Sequence, residues 1–91
     1  MSVLCVSYDL RKPGRNYDGL YEALRKWDRC RALDSLWFLD TADGAATVRD
    51  ILSKEIDEDD QLYVIQLHQH WAAHKTDGCT KWLNKAERSW V

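Results

Sequence analysis

Ninety-one residues, 45% hydrophobic and 31% charged, describe one folded domain over 1–91 and exclude a disordered chain. The formal net charge of −2 excludes the global positive field with which many nucleic-acid binders collect phosphates, so any such contact has to be local. No apolar run approaches the ~18 residues a membrane helix needs, and the opening MSVLCVSYDL has no basic leader, so a cytoplasmic protein with no membrane partner is expected.

Residues 2–9 alternate as a strand, with Leu4, Val6 and Tyr8 on one face and Val3, Cys5, Ser7 and Asp9 on the other. RKPGR at 11–15 breaks it, because proline cannot continue a ladder and glycine permits a turn. Asn16 can cap a helix over 17–28 whose apolar stripe is Tyr17, Leu20, Leu24 and Trp27. CRALDSLWFLDT, 30–41, is strand-like with a bend at Asp34 and Ser35, giving one kinked strand or two short ones. Thr41 or Asp43 then caps a helix in which Ala45, Val48, Ile51, Leu52 and Ile56 recur at helical spacing. DEDD at 57–60 reads as a solvated loop and QLYVIQLHQHW at 61–71 as a strong strand. The tail offers Thr76 or Asp77 as a cap for a docking helix with Cys79, Trp82, Leu83 and Ala86 on one face.

This order predicts an α+β domain, a ferredoxin-like split βαβ (βαββαβ) with an added C-terminal helix, sheet order 4-1-3-2 and antiparallel neighbours. There the end of the first strand lies beside the start of the third, which brings Asp9 toward Asp34 and Ser35. Both faces of the first and last strands are partly apolar, whereas the helices of the split unit cover only one. A second copy of the sheet is the simplest cover for the other face, which predicts a homodimer with Asp9 near its two-fold axis.

Two carboxylates facing each other across such an axis repel unless protonated or bridged by a cation, and Mg²⁺ or Mn²⁺ with one or two carboxylates suits phosphodiester hydrolysis. Arg11, Lys12 and Arg15 flank the proline-glycine turn and can hold phosphates beside Asp9. The plainer alternative has Asp9 closing the strand and bonding the turn, with the three cations solvated. Basic residues gather in the N-terminal third and acids at 55–60, which favours an anionic partner near the first half.

His68 and His70 share a face if the last strand persists, with His74 four residues on, yet no cysteine or carboxylate at ligand spacing completes a zinc set. Cys5, Cys30 and Cys79 are odd in number, far apart and without CxxC spacing, which reads as free thiols in a reducing cytoplasm. The five tryptophans are expected in core or interface. No GxSxG, HExxH, P-loop or GxGxxG pattern occurs, which argues against the enzyme classes those motifs mark.

VSYDL closing the first strand, then a loop, a helix and LDSLWFLDT, resembles the small dimeric CRISPR adaptation endonuclease family, whose members carry YD at the end of strand 1 and a bent strand after the first helix. YDLRKPGRNY, LDSLWFLDT and VRD at 48–50 are also similar to short bacterial proteins with YDLxKPGxxY, LxSTWxxxT and VRD, a likeness that runs to the final KWL. The resemblance implies a ferredoxin-like homodimer with Asp9 as its metal-binding and catalytic residue and Ser35 matching the serine of the bent strand. It implies Mg²⁺- or Mn²⁺-dependent cleavage of RNA or DNA. Leu33 stands where that family carries glutamine, and the tail is helical where the family often adds a strand. Those departures and the weak net charge favour a second expectation, a non-catalytic dimeric binding or adaptor protein for a nucleotide or protein ligand in prokaryotic or phage defence or counter-defence. A toxin-like ribonuclease of the virulence-associated kind is a third.

Overall fold

A computed structural model describes residues 1–12, 14–75 and 77–90. Its elements run β1 (Ser2–Asp9), α1 (Asp18–Leu24), β2 (Asp28–Leu33), β3 (Leu36–Thr41), α2 (Ala45–Ser53), β4 (Gln61–Gln66) and α3 (Asp77–Leu83). The strands form one antiparallel sheet in the order β2-β3-β1-β4, the order expected from the sequence. β1 takes a central place because residues on both of its faces have partners to bury against.

On the first face Leu4, Val6 and Tyr8 of β1, with Trp37 and Leu39 of β3, pack under α1 and α2 through Leu20, Leu24, Val48 and Leu52. The leucines and valines in this group are fully buried, each contributing about 1.5–3 kcal/mol relative to exposure. The bend at Asp34 and Ser35 is a tight hairpin turn that divides two strands, and a register shift between Arg31 and Leu33 marks a bulge just before it.

On the second face the chain's own tail takes part of the place expected for a second copy. Val3, Cys30, Phe38 and Leu67 pack under Trp82 and Leu83 of α3 and under Trp71 and Trp90 of the segments flanking it, so the chain covers much of this face itself. Cys30 and Cys79 form a disulfide that ties β2 to α3 across a sequence separation of 49, which corrects the reading of three free thiols; Cys5 alone is free. Cys30 lies opposite Phe38 on the face where α3 docks, a meeting that spacing along the chain cannot reveal.

Several boundaries also differ from the sequence reading. α1 ends at Leu24 rather than at 28, and the Trp27 indole N–H leaves the stripe to donate to Asp43 Oδ2 at 3.1 Å. Asn16 does accept the Asp18 N–H at 2.8 Å, and so serves as a capping acceptor just outside the helix. α2 is capped by the Gly44 position, because Thr41 Oγ1 turns inward to accept the Asp43 N–H at 3.0 Å. β4 stops at Gln66, so His68 and His70 are not strand neighbours. The expected roles of Pro13 and Thr76, and the side chain of Asp77, lie outside the described residues.

Candidate functional site at the end of β1

Alternation along β1 decides which neighbour each residue meets. Tyr8 N–H donates to Ser35 C=O at 3.1 Å on the β3 side, whereas Leu67 N–H donates to Val3 C=O at 2.8 Å on the β4 side. Even-numbered residues of β1 thus bond β3 and odd-numbered residues bond β4. Asp9 pairs with Gln61, and it is Tyr8 that meets the 34–35 turn.

The Tyr8 hydroxyl accepts the Trp37 indole N–H at 3.0 Å and donates to the Asp34 carbonyl at 3.0 Å. Arg31 donates to that same carbonyl at 2.7 Å while its guanidinium lies 5.0 Å and 5.2 Å from the Tyr21 and Trp37 ring centres. Burial pushes the Tyr8 phenol above its ordinary value, against the bond from Trp37 and the charge of Arg31. The hairpin is therefore anchored by a buried aromatic network on the helix-covered face. Ser35 contributes its backbone carbonyl to that anchor, one residue along β1 from Asp9.

Asp9 is on the second face, 62% exposed, in a recess shared with Ser7, Gln61 and Tyr63. Arg11 Nη2 lies 2.9 Å from its carboxylate and 3.3 Å from Gln61 Oε1. In one copy, Arg11 therefore already compensates the Asp9 carboxylate, in a pair that is exposed on both sides. Among the described residues no three His, Cys, Asp or Glu side chains group in a way that could hold a metal ion.

The other two candidate phosphate ligands face acids as well. Lys12 Nζ lies 3.3 Å from Asp59 and 3.9 Å from Asp57, and Arg15 Nη1 lies 4.0 Å from Asp57. Asp60 fastens the loops together by accepting the Arg11 N–H at 2.6 Å, the Asp57 N–H at 2.7 Å and the Tyr17 hydroxyl at 2.9 Å. Burial acts to raise the Asp60 carboxyl, but the N–H groups of Arg11 and Asp57 and the Tyr17 hydroxyl outweigh it and hold the group below the usual carboxylate range. The 57–60 segment, expected as a merely solvated loop, is the acidic counterpart of the 11–15 turn. Each exposed cross-loop pair contributes at most about 1 kcal/mol, yet together they leave a phosphate no uncompensated cluster of Arg11, Lys12 and Arg15.

What sequence reasoning missed lies on the remainder of the second face. Tyr63, Ile65 and Leu67 share one side of β4 by the two-residue period, and Tyr63 and Ile65 are 71% and 53% exposed. Leu67 leads into an apolar cleft of about 220 Å³ between the β2–β3 hairpin and α3, lined also by Leu33, Leu36, Phe38 and Trp71. The signal was the apolar residue on both faces of β4, which the expected second sheet absorbed too readily. No protein-family model and no solved structure matches this chain. Among the described residues no helix is long and apolar enough to cross a membrane.

Proposed function

We propose that this chain is a non-catalytic dimeric binding protein of the ferredoxin-like class, an adaptor whose ligand is an apolar segment of a partner protein. The observation that carries this reading is the division of the surface. Arg11, Lys12 and Arg15 are matched by Asp9, Asp57 and Asp59, while Tyr63 and Ile65 stand exposed on the side of β4 whose continuation, Leu67, lines an apolar cleft. Contiguous exposed apolar surface rimmed by polar groups is the mark of an interaction site. The cleft's lining of Leu33, Leu36, Phe38 and Trp71 suits a branched or aromatic side chain. A place in prokaryotic or phage defence is supported by the resemblance alone. The Cys30–Cys79 bridge weighs against the cytoplasmic setting inferred from free thiols, since such bonds persist in oxidising compartments.

A second reading, a metal-dependent nuclease with nucleic acid as partner, is favoured by one observation: Asp9 is an exposed strand-end carboxylate in an open recess. The deciding experiment incubates labelled single-stranded RNA and duplex DNA with Mg²⁺ or Mn²⁺ and wild type, Asp9→Asn or an EDTA control. The adaptor reading expects no cleavage, together with binding of a naphthalene-sulfonate dye to the native protein that Leu36→Asn reduces. Cleavage abolished both by EDTA and by Asp9→Asn overturns it in favour of the nuclease.

A further inference from the structure

We infer that two copies of this chain join edge to edge through β4, making one continuous eight-stranded sheet with Val64 on the two-fold axis. The inference rests on the dimeric reading above and assigns its surface. β4 is an outer strand of the sheet, with no described strand on its far side. An outer strand presents unpaired N–H and C=O groups, and proteins that stay monomeric blunt it with charge, proline, bulges or a cover.

The two edges of this sheet are treated differently. β2 carries Asp28, Arg29 and Arg31, ends in a bulge and is tied to α3 by the disulfide. β4 reads QLYVIQ, with neither a charged residue nor a proline, and is regularly paired with β1 along its length. Beside Leu62 and Val64 the flanking helix α2 lines a recess of about 250 Å³ with the small residues Ala45 and Ala46 and with Arg49, whose charge is paired with Asp50 on its own helix.

The hydrogen-bond alternation fixes which groups are free. Leu67 N–H bonds Val3, so Ile65 and Tyr63, at two-residue steps from it, also turn their backbone groups toward β1. The backbone groups of Leu62, Val64 and Gln66 therefore point to the open edge. In an antiparallel pairing about Val64, Leu62 meets Gln66 of the partner subunit, Val64 meets Val64 of the partner subunit, and Gln66 meets Leu62 of the partner subunit. Three hydrogen-bonded pairs with two bonds each result, about six in all. Shifting the axis to Tyr63 or Ile65 leaves about four within the strand. The central register also sets Tyr63 opposite Ile65 of the partner subunit in a close, non-hydrogen-bonded pair, an aromatic and β-branched combination that stabilises antiparallel neighbours. The contact is isologous and closes on itself, so it yields a dimer and not a fibre.

Sedimentation and amide exchange on the full chain test this. The expected result is a concentration-dependent dimer in which the amides of Leu62, Val64 and Gln66 are protected, and lose protection on dilution, while those of Tyr63 and Ile65 stay protected throughout. The variant Tyr63→Lys/Ile65→Lys puts lysine against lysine and is expected to weaken dimerisation at least about tenfold. Tyr63→Lys/Ile65→Glu, which keeps opposite charges facing in this register, retains the dimer. A wild-type dimer whose Leu62, Val64 and Gln66 amides exchange freely overturns the edge assignment and leaves the dimeric reading standing. A wild type that is monomeric at every concentration overturns both.

Discussion

Arg88→Met is expected to be the most damaging single substitution in the C-terminal segment. Asp28 and Asp40 lie directly opposite each other in the β2–β3 register, a like-charge arrangement that destabilises a sheet unless a cation bridges it. Arg88 Nη1 supplies that bridge at 2.6 Å from Asp28 and 3.3 Å from Asp40, with its guanidinium 3.9 Å from the Trp82 ring centre. The Arg88 and Asp40 side chains are only 2% and 5% exposed, whereas that of Asp28 is 54% exposed. Removing the arginine thus leaves the Asp40 carboxylate buried beside the Ser89 N–H, its 3.2 Å donor, with Asp28 opposite it. Breaking a buried pair from one side costs about 3–5 kcal/mol, a large share of the ~5–15 kcal/mol that holds a typical domain folded. Urea unfolding at neutral pH measures the loss, and near-UV circular dichroism reports whether Trp82 stays packed. In an Asp40→Asn background the same substitution should cost at least ~1 kcal/mol less, because no buried charge is then stranded. A loss below ~1 kcal/mol for Arg88→Met, or equal losses in the two backgrounds, refutes the clamp.

Three further outcomes are expected. Cys30→Ser should lower stability by ~4 kcal/mol on the loop-entropy scale, given the separation of 49 residues, and dithiothreitol should lower the wild-type urea midpoint to match while leaving the variant unmoved. Tyr8→Phe removes the acceptor of the buried Trp37 indole N–H and should cost ~1–3 kcal/mol by urea unfolding, with a red shift of Trp37 emission. Asp60 has a carboxyl held below its unfolded value, so its stabilisation is fully present above the unfolded carboxylate range and is lost as pH falls through the folded value; Asp60→Asn should flatten the decline of the thermal midpoint below about pH 4.

Much of the sheet was legible because its signals are local. The strand-forming residues of 2–9, the stretch 30–41 with its bend at 34–35 and the apolar run from 61 mark the strand regions, and the structure resolves 30–41 into two strands. The ends of helices were less legible, since Trp27 continues the spacing of Leu20 and Leu24 while its indole N–H finds a better partner in Asp43. The disulfide and the Arg88 clamp join residues 49 and 60 positions apart, contacts made only when α3 docks. At the candidate site, parity correctly put Asp9 with Val3 and Cys5. The same parity turns its backbone toward β4, so the hydrogen bonds to the 34–35 turn are made by Tyr8.

The charge pattern shows how a linear asymmetry can vanish in three dimensions. Basic residues at 11–15 and acids at 57–60 are far apart in sequence and suggest a positive region with its own anionic partner. β1 and β4 are neighbours, however, and Asp9 opposite Gln61 brings the segment leaving β1 against the segment entering β4. Arg11, Lys12 and Arg15 then meet Asp57, Asp59 and Asp60 because the topology leaves those loops nowhere else to go. The second face follows the same logic in apolar terms. α3 is drawn to the β2–β3 half by the disulfide and by Arg88, which seals that edge and stops the cover short of β4. Tyr63 and Ile65 are exposed because the residues that fasten the tail lie two strands away, and it is this asymmetry of cover, more than any carboxylate, that sets apart the surface available to a partner.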